Sequence, residues 1–182
     1  MKSKMGPIQS SLLEALSELG TITYAVLTSS RNTKLLRRKL GAYGVPNPAF
    51  RRSLEKLKER GYVEFKIIQG EEYLVLSKSG KEKMKSKEVL ELKLPRQPKW
   101  DKKWRVILFD IPERFKTARR ALSFQLRSMG AVPFQKSVFV FPYHCKKEVE
   151  FVSNFFGVGP YIRYMEAKIM GDDESLRKHF NL

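Results

Sequence analysis

One short segment of the sequence carries side chains suited to nucleic-acid contact: Arg51, Arg52, Ser53 and Lys56. Arginine binds guanine edges and phosphates, while lysine and serine donate hydrogen bonds to phosphate oxygens. We interpret Arg51 and Arg52 as contacts to bases or phosphates, and Lys56, a turn further along, as a phosphate contact. For any one of these residues a solvated helix face is an equally good interpretation, but for the whole cluster it is a poor one.

A helix is predicted to hold this segment. Asn47 is a favourable N-cap, Pro48 suits the first helical position, and Gly61 is expected to end the helix. Its apolar residues share one face and are expected to pack inward: Phe50, Leu54 and Leu57. The basic side chains therefore point away from the predicted core.

The elements around this helix follow the order of a winged helix-turn-helix domain. They are a helix from Pro7, a helix over 33–40, the basic helix itself, strands over 62–68 and 73–76, and a helix from Lys78. This order predicts a DNA-binding domain over residues 1–92, with its third helix in the major groove of duplex DNA. The alternative for this half is a winged helix that binds another protein.

Further cations extend the predicted DNA surface. Lys66 lies on the predicted hairpin, the wing, and is expected to contact phosphate or the minor groove. A second basic cluster surrounds the second predicted helix: Arg31, Lys34, Arg37, Arg38 and Lys39. These residues suit a flanking backbone strand of the duplex.

The whole chain is strongly basic. It has 182 residues with 36 Lys and Arg against 19 Asp and Glu, a formal net charge of +17. Such an excess favours a polyanionic partner, and the basic helix favours nucleic acid over an anionic membrane surface. We find no signal peptide and no apolar run of about 20 residues, and Cys145 is the single cysteine. These features predict a cytoplasmic protein without membrane association.

The second half is predicted to be a separate domain. Residues 93–103 contain Pro95 and Pro98 and are interpreted as a linker. Residues 104–182 show the order β-α-β-β-α-β, which predicts a ferredoxin-like dimerisation domain. The fold class is therefore predicted to be α+β, a winged helix-turn-helix followed by a ferredoxin-like domain.

Asp110 is the one residue of this half that suggests metal chemistry. It ends the first predicted strand, and two copies meeting across a two-fold axis could share one divalent cation. We favour the alternative, an N-cap carboxylate for a helix that begins near Pro112, because no second carboxylate cluster supports a preformed site. His144, Cys145 and His179 lack zinc spacing, and no glycine-rich phosphate loop or nucleophile motif is present.

Two segments of the second half carry a family resemblance: WRVILFDIPE at 104–113 and GAVPFQKSVFVFPY at 130–143. They resemble the central domain of the PaaX-like repressors and the small CRISPR-associated nuclease-like subunit of spacer acquisition. PaaX-like proteins also begin with a winged helix-turn-helix, so the combination with Trp100 and Trp104 resembles PaaX over nearly the whole chain. By resemblance to the CRISPR-associated family alone, Asp110 would bind metal at a dimer interface.

One property of the PaaX-like repressors, their response to an effector, is not carried over to this sequence. PaaX-like repressors usually continue into a third, C-terminal domain, whereas this sequence ends at Leu182. We therefore do not carry over the response to an acyl-CoA thioester that is implied for the named repressor, and the effector stays open.

The sequence thus predicts a homodimeric, DNA-binding transcriptional regulator, a repressor by resemblance, with double-stranded DNA as partner and no required cofactor. One alternative is a metal-dependent endonuclease using Asp110 and Mg²⁺, or an inert relative of it that captures DNA. Another is an interaction module of a larger complex, which would bind DNA weakly at physiological salt.

Overall fold

The computed structural model describes residues 5–23, residue 27 and residues 48–182. The chain divides into two compact units, residues 1–88 and 89–182. Each described unit contains helices and one antiparallel sheet. The predicted α+β class is therefore confirmed.

The first unit packs helices against a three-stranded sheet. Its elements are α1 (Pro7–Leu19), β1 (Thr21–Thr23), α2 (Pro48–Glu59), β2 (Val63–Ile68), β3 (Glu71–Leu76) and α3 (Lys78–Glu91), the last of which continues past residue 88. The sheet order is β1-β3-β2, so β3 is central and β2 lies at one edge of the described sheet. The helix from Pro7, the basic helix and the hairpin occur where the sequence predicts them. The predicted helix over 33–40 lies outside the described residues.

The core of this unit is built from the apolar stripes of its helices. Leu12 and Leu16 of α1 are almost fully buried, as are Phe50 and Leu57 of α2, and they form one cluster with Leu74 of β3. Because α2 is buried on this stripe alone, its remaining faces stay in solvent.

The junction between β3 and α3 is fixed by one serine. The Ser77 hydroxyl donates to the Gly61 carbonyl and accepts a hydrogen bond from the Gly80 amide at 3.0 Å. The Ser77 amide donates to the Tyr62 carbonyl at 3.0 Å. Ser77 therefore caps the first turn of α3 and ties it to the residues that follow α2.

The second unit has the order β-α-β-β-α-β that the sequence predicts. It runs through β4 (Trp104–Phe109), α4 (Lys116–Met129), β5 (Val132–Gln135), β6 (Val138–Phe141), α5 (Lys146–Phe155) and β7 (Ile162–Ala167), and it ends with α6 (Glu174–Phe180). The strand order is β5-β6-β4-β7 with every neighbouring pair antiparallel. This is the strand arrangement of a ferredoxin-like sheet.

One face of this sheet carries the main core. Ile107 and Phe109 of β4 and Phe139 of β6 pack with Leu122 of α4 and Val152 of α5. Alternate residues of the same strands therefore point to the other face.

The segment 93–103, interpreted from the sequence as a linker, has neither helix nor strand. It nevertheless packs on the second unit, because Leu94 is buried and its amide donates to the Met129 carbonyl at 3.0 Å. Trp100 lies against Trp104, with ring centroids 5.0 Å apart. Both tryptophans of the chain thus belong to the second unit.

Candidate nucleic-acid interface

Helix α2 carries three basic side chains outside its core stripe, Arg51, Arg52 and Lys56, which we call its basic stripe. Successive residues of an α-helix are about 100° apart, so Arg52 lies nearly opposite the buried Phe50 and Leu57, whereas Lys56 and Arg51 each lie about 110° from their mean direction, on either side of Arg52. Glu55 and Glu59 lie on the same exposed side of the helix. The three basic side chains are exposed, whereas Ser53 is half-buried. Arg52 is therefore the best placed of the predicted contacts to reach an external ligand, with Lys56 one turn further along the helix.

The charges of this stripe are not neutralised within the described part of the chain. Among the described residues, Arg51, Arg52 and Lys56 make no ion pair and no side-chain hydrogen bond. The cations of α2 outnumber its two carboxylates, Glu55 and Glu59, so its exposed faces carry an excess of positive charge. These faces can accept the phosphates of a duplex.

The hairpin that follows α2 carries the predicted wing residue. Lys66 forms an exposed ion pair with Glu64, Nζ to Oε1 at 3.1 Å, so its charge is partly balanced. Gln69 and Gly70 both have positive φ, 52° and 82°, as a two-residue type I′ turn requires. Next to this turn Ile67 is 79% exposed, a feature that the sequence analysis did not predict. The only sequence signal for this exposure is the pair Ile67 and Ile68 beside the hairpin turn.

Two predicted DNA contacts, Arg37 and Arg38, lie outside the described residues, as does the cluster around them. The N-cap Asn47 lies outside them as well. The interface described in structural terms therefore consists of α2 and the β2–β3 hairpin.

Asp110 lies exposed just beyond β4. Its amide donates to the Tyr161 carbonyl at 3.2 Å, while its carboxylate forms no hydrogen bond and no ion pair with the described residues. The favoured interpretation of this residue as an N-cap is wrong. Residues Glu113–Phe115 form a 3₁₀ turn without a side-chain cap, and α4 begins only at Lys116.

The described residues also contain no group of three or more His, Cys, Asp or Glu side chains that could hold a metal ion. Sharing of one ion by two copies of Asp110 involves a second chain, so it stays a prediction.

The second unit contains a buried polar cluster that sequence analysis missed. Arg105 is 1% exposed, and its guanidinium donates to both Asp101 carboxylate oxygens at 2.6 and 2.7 Å. It also donates to the carbonyls of Lys103 and Pro142, at 2.7 and 3.1 Å. The Arg105 guanidinium holds the pKa of the Asp101 carboxyl well below its usual range.

His144 completes this cluster. Its Nε2 lies 2.6 Å from an Arg105 nitrogen and its Nδ1 lies 3.3 Å from Glu166 Oε1. Because a guanidinium only donates, Nε2 must accept, which leaves the proton on Nδ1 facing Glu166. Because this arginine is buried and already donates to Asp101 and to two carbonyls, it orders β4 and the preceding loop rather than offering its charge to a ligand.

Comparison with known protein families identifies the second half of the chain. Residues 97–178 match the model of the PaaX protein central Cas2-like domain. The match confirms the PaaX-like resemblance for this part of the chain and does not extend to the first unit. No curated protein matches the sequence. Within the described residues, no helix has the length and apolar character needed to cross a membrane.

Proposed function

We propose that this chain, whose residues 97–178 match the model of the PaaX protein central Cas2-like domain, is a PaaX-like transcriptional regulator that binds double-stranded DNA as a homodimer. The observation that carries the proposal is the unpaired basic stripe of α2, followed by a β-hairpin, in a chain of net charge +17. By the same family relationship we propose that it represses transcription.

The order of the first unit supports a winged helix-turn-helix. Helix α2 is followed directly by the β2–β3 hairpin, and β1 pairs with β3 to complete a small antiparallel sheet. In this arrangement α2 is the recognition helix and the hairpin is the wing. Arg52 and Lys56 then face the major groove, with Arg51 beside them and Lys66 on the wing.

The second unit supports dimerisation through the part of its second sheet face that α6 leaves uncovered. On this face Leu176 of α6 packs with Trp104 and Val140, and Val106 lies against them. Leu108 of β4 and Val138 of β6 point to the same face and are half-buried, and Met165 of β7 is 45% exposed. A second copy is the occupant we propose. A two-fold interface joins the same patch on both subunits, and an apolar patch is complementary to itself. Two subunits would also present two winged helices to two half-sites of an operator.

A titration with duplex DNA at several salt concentrations tests this function. We expect the full chain to bind a duplex of about thirty base pairs, long enough for two half-sites. Affinity should fall at least tenfold between about 50 and 200 mM salt, because released counterions drive phosphate binding. The double variant Arg52→Ala/Lys56→Ala should weaken binding and reduce the slope of log affinity against log salt by about 1 to 2.

The matched control removes the same charge from another exposed helix of the same unit. Lys81→Ala/Lys85→Ala on α3 should leave the salt slope nearly unchanged. An equal loss of DNA affinity in the two double variants would show that α2 is not the recognition helix. An absence of binding by the parent chain at about 50 mM salt would overturn the DNA-binding function itself.

The same titration with Mg²⁺ or Mn²⁺ separates the regulator from a nuclease. A regulator leaves the duplex intact with either ion. Metal-dependent cleavage that Asp110→Asn abolishes would replace the proposed function with the endonuclease alternative and make α2 a targeting surface.

A further inference from the structure

Helix α4 carries a second basic stripe, in the unit to which no DNA contact has been assigned. Its core residues are Leu122, Leu126 and Met129. At about 100° per residue, Lys116, Arg120 and Arg127 fall on the opposite side, in one row along the helix. The row extends over eleven helical steps, from Lys116 to Arg127, a length of roughly 16 Å.

This row lines an open groove. The groove has a volume of about 600 Å³ and lies between α4 and the turn that joins β5 to β6. Its lining contains five basic side chains and one acidic: Lys116, Arg119, Arg120, Arg127, Lys136 and Glu113. The lining of this groove therefore carries an excess of positive charge on one concave surface.

Glu113 holds two of these cations in place without neutralising the groove. Its carboxylate accepts from Arg119 at 2.7 Å and from Lys116 at 2.8 Å, and these contacts lower its pKa. The Arg119 guanidinium also donates to the Ile111 carbonyl at 3.3 Å. Arg127 lies over the Phe139 ring, 5.5 Å from its centroid. Four of the six charged groups are thus positioned before any ligand arrives.

The remaining two cations have no such partner. In the part of the chain that the structure describes, Arg120 and Lys136 make no ion pair and no hydrogen bond, and both side chains are exposed. Each can donate to an external oxygen at little cost in broken contacts. They are the groups whose removal should be felt most directly by a bound ligand.

We propose that this groove, lined by α4 and the β5–β6 turn, is a second contact surface for the phosphate backbone of duplex DNA. A single phosphate or sulfate needs only two or three cations, whereas this row extends over roughly 16 Å. Phosphates along one strand of a duplex recur about every 3.4 Å of helix axis, so the row matches several of them. The inference rests on the proposed DNA-binding function, and it assigns part of the affinity to the second unit.

The test compares salt slopes of the full chain on a duplex of about thirty base pairs. Arg120→Ala/Lys136→Ala should reduce the slope by about 1.8, because each lost phosphate contact removes about 0.9. The control Lys147→Ala/Lys178→Ala removes the same charge from exposed sites of the same unit outside the groove, and it should leave the slope unchanged. All four side chains are exposed, so both variants should keep the melting temperature of the parent.

The outcomes distinguish this proposal from the function on which it rests. If the parent and the groove variant have the same slope while the α2 variant is impaired, the groove proposal fails and the recognition helix stands. If the groove variant is impaired while the α2 variant is not, the groove stands and α2 loses its role. If the groove variant loses binding of polyglutamate but keeps its DNA slope, the groove binds an acidic polypeptide and the proposal is overturned.

Discussion

Arg105 shows at the scale of one residue how a charge is retained inside a small domain. In the described chain it is the only charged side chain among the buried residues. Asp101 supplies a bidentate ion pair, and two carbonyls and His144 supply further acceptors. Its Nε has no hydrogen-bond partner in the described residues, but lies 3.8 Å from Glu166 Oε1. The residue therefore fixes the loop before β4 to the sheet through polar contacts.

Asp101→Asn should make this contribution measurable as a function of pH. The pKa of Asp101 is lower in the folded chain than the usual value near 4, so its stabilising effect is present above about pH 4. It is lost as the pH falls further, through the lowered pKa. We expect Asp101→Asn to destabilise the second unit by about 1 kcal/mol at pH 7, a modest value because Asp101 is 43% exposed. The difference should shrink towards pH 2.

Tryptophan fluorescence during urea unfolding measures this effect in the right place, because Trp100 and Trp104 both lie in the second unit. Glu150→Gln serves as the control, since this exposed carboxylate has only a 3.8 Å contact to Lys146. A difference between Asp101→Asn and parent that stays constant from pH 7 to about pH 2 would contradict the assigned ion pair.

Cys145 gives a second prediction for a single residue. Burial raises the pKa of its thiol to about 12, and only the thiolate reacts with disulfide reagents. At pH 8 the folded chain should react with Ellman's reagent on the order of 10³-fold more slowly than the urea-unfolded chain. Similar rates in the two states would show that the thiol is open to solvent.

At the scale of elements, the turn from β3 into α3 depends on a glycine. A Cβ on Gly80 would collide with the Tyr62 carbonyl oxygen, which is backbone and cannot rotate away. Gly80→Ala should therefore destabilise the first unit by about 1 to 3 kcal/mol, through displacement of α3 from the sheet. Urea unfolding followed by far-UV circular dichroism measures this loss of stability. Ser79→Ala, one residue earlier on an exposed position, should change it by less than about 0.5 kcal/mol.

The helices and strands that could be predicted from the sequence are those whose own residues carry a strong local pattern. Helix α2 has a proline at its start and buried residues at helical spacing, and the hairpin has a turn that selects its register. Strand β1 was not predicted, because three residues are too few to show alternation. Its partners, residues 73–75, are brought to it only by the tertiary fold.

The candidate sites were harder to predict, because they depend on residues that are distant in sequence. Local spacing was enough to find the basic stripe of α2. It could not reveal that Arg105 would meet His144 and Glu166, which strand pairing brings together across β6, β4 and β7. It also misassigned Asp110, because the 3₁₀ turn at 113–115 moves the start of α4 away from the carboxylate.

At the scale of the whole molecule, each of the two units carries a basic surface, so we expect both units to contribute to the affinity for DNA. The α2 stripe and the α4 groove belong to different units, so each can be altered without changing the core of the other. If both contact one duplex, the second contact forms at a high effective concentration once the first is made. Moderate individual contacts would then give a tight complex that remains sensitive to ionic strength.

The position of β2 at the edge of the described sheet has a consequence for how the protein behaves in concentrated solution. An edge strand that carries an exposed apolar side chain, such as the 79% exposed Ile67, can pair with a similar strand of another molecule. Glu64 and Lys66 share one face of this strand and form an exposed ion pair there, and a pairing strand would bury part of both charges. A variant lacking both charges is therefore expected to keep its fold and to aggregate at a lower concentration than the parent.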